Sequence, residues 1–164
     1  MKGQIMPPNF QTLPDRETWP VMVGAARQAL EKAGCTLRRV PGRGRSNVWE
    51  TVRNGKARKV SIRTTKDRWF AFPPLKNGTK WKTLNDVDDV VVAAVDDRND
   101  PKNIEVYLFD AKDVRTRFDA AYAARTKEGL VVNDNFGMWV GLDRDDRGIP
   151  ASVGSGLAEQ HKPI

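Results

Sequence analysis

Apolar residues Trp19, Met22, Val23, Ala26 and Leu30 recur at the spacing of one helix face. Asp15 is a candidate N-cap, and Pro20 suits a first turn, where its missing N–H costs nothing. Gly34 stops the pattern, so the helix is predicted over 18–33. Upstream, Pro7, Pro8 and Pro14 exclude a regular element, and 1–14 reads as an extended arm. Downstream the period changes to two. Thr36 to Val40 and Asn47 to Arg53 read as strands. Arg58 to Thr64 returns with Val60 and Ile62 on its apolar face, after Asn54-Gly55, a dipeptide that tolerates the positive φ of a tight hairpin. Trp69 to Phe72 is a further strand closed by two prolines, and Lys76-Asn77-Gly78 is a turn. Val90 to Val95 is apolar on both faces, which predicts a central, fully buried strand. Ile104 to Phe109 follows as a strand. Asp110 then caps a helix bearing Val114, Phe118, Ala121 and Tyr122 on one face and ending at Gly129. Met138 to Leu142 is a last candidate strand.

This order predicts one α+β domain over 15–142: a mixed four- to six-stranded sheet with two main flanking helices. The Gly/Ser/Asp-rich stretch 143–164 reads as a flexible tail. A length of 164 residues suffices for such a core without staples. The longest apolar run is far shorter than the roughly 18 residues a membrane span needs, and 1–10 lacks the apolar core of a signal peptide, so no membrane partner is expected. The single cysteine, Cys35, allows no internal disulfide and suits a reducing cytoplasm. The single histidine, His161, leaves almost nothing for a Ser-His-Asp, Cys-His or His-rich metal site.

Charge is where the chain departs from an ordinary domain. The net charge is +7, and it is segregated. Between Cys35 and Lys82, fourteen Lys and Arg face only Glu50 and Asp67, a net +12 over 48 residues. Between Thr83 and Asp119, five basic residues face ten acids, a net −5. Like charges crowded together repel, so a segment this basic points to a polyanionic partner, foremost DNA or RNA. Trp69 and Trp81 lie among Lys66, Arg68, Lys80 and Lys82, the mixture of cations and aromatic faces that grips phosphates and stacks bases. Arg43 and Arg45 sit in a Gly-rich loop, and Lys59 and Arg63 on the return strand. The expected nucleic-acid contacts are therefore Arg43, Arg45, Lys59, Arg63, Lys66, Arg68, Trp69, Lys80, Trp81 and Lys82. The competing reading makes these cations the solvated face of a sheet and the aromatics part of the core.

The stretches Ser46-Asn47-Val48-Trp49 and Val60-Ser61-Ile62-Arg63-Thr64, set behind a helix and before a buried strand opened by acids, resemble the restriction-endonuclease-like PD-(D/E)XK core across roughly residues 20–122. The resemblance implies a nuclease scaffold with its metal-binding acids at Asn47 and Ser61 and its lysine at Arg63. None of these residues suits the role. Asn and Ser are poor substitutes for Mg²⁺-binding carboxylates, and Arg stays protonated. The expectation is a degenerate, non-catalytic member without a cofactor. The alternative is a Mg²⁺-dependent nuclease with a rearranged set drawn from Glu31, Glu50 and Arg63, with Asp86, Asp88 and Asp89 as metal candidates. A third reading is a protein–protein adaptor, in which the basic and acidic segments of two copies meet in a homodimer.

Overall fold

The computed structural model describes residues 4–5 as backbone, together with 9–41, 48–129, 132, 134, 136–140 and 164. Its elements are β1 (Gln4–Ile5), α1 (Asp15–Lys32), β2 (Thr36–Arg39), β3 (Val48–Arg53), β4 (Lys56–Thr65), β5 (Trp69–Ala71), β6 (Pro74–Leu75), β7 (Lys80–Trp81), β8 (Asp89–Val95), β9 (Asn103–Asp110), α2 (Ala111–Lys127) and β10 (Gly137–Trp139).

Six strands form one mixed sheet in the order β1-β9-β8-β4-β3-β2. β4 and β8 run parallel, and the other neighbours are antiparallel. Two short ribbons, β5–β10 and β6–β7, complete the strands. The α+β expectation and the central place of Val90–Val95 hold: all six of those residues are fully buried. Alternation then divides the sheet into two faces. Val60, Ile62, Val91, Ala93, Val95, Ile104 and Val106 pack with Met22, Val23, Ala26 and Leu30 of α1. Val90, Val92, Ala94, Tyr107 and Phe109 pack on the other side with Val114, Phe118 and Ala121 of α2. The second core is largely aromatic. Phe118 meets Trp81 edge-on at 5.2 Å, Phe72 at 5.7 Å and Phe136 at 5.7 Å.

Helix α1 begins three residues before the predicted start. Pro14 is the N-cap, and its carbonyl accepts from the N–H groups of Glu17 and Thr18. Asp15 and Glu17 then lie in the first turn, where carboxylates complement the helix dipole. Pro20 is consequently inside the helix rather than in its first turn. At the other end Gly34 takes φ 95°, the Cys35 N–H donates to Leu30 O, and the Gly34 N–H donates to Glu31 O. This paired closure needs a left-handed residue, which glycine supplies without strain. The cap of α2 is as expected, with Asp110 accepting from the Lys112 N–H at 2.8 Å.

Two expectations at the chain ends need correction. Gln4 and Ile5 are a strand, paired antiparallel with Ile104 and Asn103 at the outer edge of β9, because the prolines begin only after them. The Ile164 N–H donates to Val106 O at 2.7 Å, and its side chain packs on the α1-side core, so the last residue of the supposed tail is docked. The rest of 143–164 lies outside the described residues, as does Leu142 of the last predicted strand.

Candidate nucleic-acid interface

The outer three strands form a meander, β2-β3-β4, whose tight turn is Asn54-Gly55 with φ 51° and 76°. Positive φ at both positions matches the right-handed twist of the flanking strands. These strands carry Arg38, Arg39, Arg53, Lys56, Arg58, Lys59 and Arg63 against one acid, Glu50. Register assigns them to faces. Arg53 is the direct cross-strand partner of Lys56, and Thr51 of Arg58, all on the α1 side. Arg39 pairs with Trp49 on that same side, where Arg27 of α1 lies over the Trp49 ring at 4.8 Å. A cleft of about 410 Å³ opens beside the hairpin tip, lined by Arg53, Lys56 and Arg58 together with Leu30, Cys35 and Asp89.

The aspartates at the start of β8 neutralise part of this charge. Asp89 clamps Arg58 with two hydrogen bonds, at 2.6 and 2.9 Å, and the pairing raises the Arg58 pKa. Asp88 closes the start of the β4–β8 pairing, accepting from the Lys59 N–H at 2.9 Å and donating its own N–H to Lys59 O. Arg38 pairs with Glu50 at 3.3 Å. Among the described residues, the exposed side chains of Arg39, Arg53, Lys56 and Lys59 have no ion pair.

Several expected contact residues are placed elsewhere. Trp81 is 1% exposed, stacked on Phe136 at 5.1 Å, with its indole N–H donating to Asp119 at 2.9 Å. It is core, and no base reaches its face. Arg68 turns inward: its guanidinium donates to Val95 O at 2.7 Å and to Glu105 at 3.3 Å. It supports the fold rather than a phosphate. Lys66 is committed to Leu13 O and Asp15. It lines a second cleft of about 510 Å³ with Asp15, Asp67, Trp19 and Trp69 at the far end of β4. Trp69 is half-buried and packs edge-on against Trp139 at 4.8 Å. Lys80 and Lys82 are exposed at the β6–β7 ribbon, apart from the hairpin in the sheet topology. Arg43 and Arg45 lie outside the described residues, as does Asn47.

Arg63 is the unexpected member. Its place on β4 points it to the α2 side of the sheet, with its guanidinium 4.3 Å over the Phe72 ring. Its Nε is sealed from solvent, and among the described residues the side chain has no hydrogen-bond or ion-pair partner. Burial pulls its pKa from the ordinary guanidinium value down to about 10, so it remains a cation at neutral pH. Ser61, two residues earlier on the same face, is fully buried, and its hydroxyl also lacks a partner among the described residues.

The rearranged acid set is not assembled. Glu31 is exposed near the end of α1, on one side of the sheet, whereas Glu50 projects from the other and is held by Arg38. Asp86 is exposed in a short 3-10 turn, and Asp88 and Asp89 serve β4. Among the described residues no three His, Cys, Asp or Glu groups are placed to hold a metal ion. The residues that sequence reasoning left out of the site are Arg39, Arg53 and Lys56. The Asn54-Gly55 turn between two basic flanks was the signal that would have included Arg53 and Lys56; Arg39 had no such local signal.

No helix among the described residues is long and apolar enough to cross a membrane. Compared with protein-family models, curated proteins and solved structures, the chain matches none of them.

Proposed function

We propose that the chain is a non-catalytic nucleic-acid-binding domain that grips phosphates with the outer end of its sheet, on a degenerate restriction-endonuclease-like scaffold. The observation that carries this reading is the β2-β3-β4 meander, with seven cations against one carboxylate and four exposed cations without an ion pair among the described residues. Arg53 and Lys56 flank the turn as direct cross-strand neighbours, an arrangement that costs stability unless an anion lies between or above them. The aromatic contribution is smaller than the composition promised. Trp81 is removed, and Trp69 is half-covered by Trp139, so recognition is of backbone charge rather than of bases.

Fluorescence anisotropy with labelled single- and double-stranded DNA and RNA tests this. If Arg39, Arg53, Lys56 and Lys59 each neutralise one phosphate, the log–log salt slope on duplex DNA is about −3.6. Affinity then falls by about two orders of magnitude between 50 and 200 mM salt. Absence of binding to any of the four at 50 mM salt refutes the proposal.

A further inference from the structure

A guanidinium removed from water normally has a carboxylate or several carbonyl oxygens to replace its lost hydration. Arg63 has neither. It sits near the C-terminal end of β4, with its guanidinium carbon 4.3 Å from the centre of the Phe72 ring, itself fully buried. Of its three nitrogens only Nε is both sealed and unpartnered among the described residues, which leaves the two Nη groups as the edge not fully closed off. The carboxylates on the strands of that sheet face are engaged elsewhere, Glu50 with Arg38 and Glu105 with Arg68, each at 3.3 Å. An arginine held against an aromatic ring, with no carboxylate paired to its forked edge, can receive a bidentate oxyanion. Lys59 lies four residues earlier on the same face and is exposed, which favours a phosphate over a singly charged carboxylate.

We infer that Arg63 is the receptor for a single phosphate group, which docks in the plane of its guanidinium over Phe72. The site deepens the nucleic-acid reading, which it relies on only for the source of the phosphate. Its own chemistry is the same for inorganic phosphate, a nucleoside monophosphate or a strand terminus.

The test is a thermal-shift and calorimetric titration of the full chain with sodium phosphate, a nucleoside 5′-monophosphate and a short oligonucleotide. Sodium chloride at matched ionic strength is the control. Phosphate is expected to raise the melting temperature of the wild type above the chloride control. Arg63→Met is expected to weaken that affinity at least tenfold. Arg63→Lys retains the charge without the fork, and an intermediate affinity supports bidentate docking. Equal shifts with phosphate and chloride in the wild type would overturn the inference, and so would a wild-type phosphate response in Arg63→Met. A phosphate response without oligonucleotide binding upholds the site and removes the nucleic-acid reading. Oligonucleotide binding with no phosphate response does the reverse.

Discussion

Replacing Arg63 by methionine should make the ligand-free protein more stable, although the residue is part of a proposed binding site. Met has a similar length, fills the space against Phe72 and leaves no charge to desolvate. Burial lowers the Arg63 pKa from the ordinary guanidinium value to about 10. At roughly 1.4 kcal/mol per tenfold change in proton affinity, that corresponds to a folding cost of about 3 kcal/mol at pH 7. The stack on Phe72 returns part of it, about 1 kcal/mol, so the net gain expected for Arg63→Met is about 2 kcal/mol. In urea, with a slope of about 2 kcal/mol per molar, the midpoint should rise by about 1 M. The pH dependence has a definite sign. From about 10 up to the ordinary guanidinium value the unfolded chain holds the Arg63 proton more tightly than the folded one, so raising the pH relieves the folded state. The advantage of Arg63→Met is therefore constant from pH 7 to 9 and shrinks above 10, losing about 1 kcal/mol by pH 11. Lysines and tyrosines titrate in both proteins and cancel in the difference. Equilibrium urea unfolding of the two proteins at pH 7, 9 and 11 measures it. A lower midpoint for Arg63→Met would refute the claim that this cation is uncompensated, as would a difference that grows with pH.

Three further outcomes follow from the same geometry. Arg53→Ser with Lys56→Ser should flatten the duplex salt slope by about 1.8 and leave the urea midpoint unchanged or higher, since the pair is mutually repulsive; anisotropy titrations at four salt concentrations check it. Trp81→Phe should cost about 1–2 kcal/mol through the lost hydrogen bond to Asp119 and the smaller ring, with nucleic-acid affinity at fixed salt unchanged because the residue is core; a weaker nucleic-acid complex from the folded variant would contradict that placement. Burial pushes the Asp96 pKa up, but hydrogen bonds from the Lys102, Asn103 and Asp97 N–H groups and the Asn103 side chain outweigh it and hold the pKa low. Asp96→Ala should therefore cost about 1–2 kcal/mol at pH 7. That difference should be lost as the pH falls below the ordinary carboxylate value of about 3.9 and through the lowered one, as read by urea titrations from pH 7 to 2.5.

Local chemistry determined much of this protein from sequence. The period-3.6 stripe and Gly34 specified α1 to within three residues, because a stripe of buried side chains and a left-handed stop act over a single turn. Asn54-Gly55 specified the hairpin, since few residues accept positive φ twice in succession. The unbroken apolar run at Val90 specified the central strand, which nothing but burial on both faces explains. The fate of each charge was decided only in three dimensions. Arg58, Lys66 and Arg68 look alike along the chain as cations in a basic segment. Each was neutralised by a carboxylate 31, 51 or 37 positions away, brought in by the sheet register or the start of α1. Trp81, between two lysines, became core because α2 folds back over it. Among the described residues Arg63 kept its charge without a partner, because both carboxylates on the strands of that face are already taken. Spacing and composition encode which side chains a strand presents, but a cation is left open only when every acid within reach has gone to another, and that is a property of the assembled sheet.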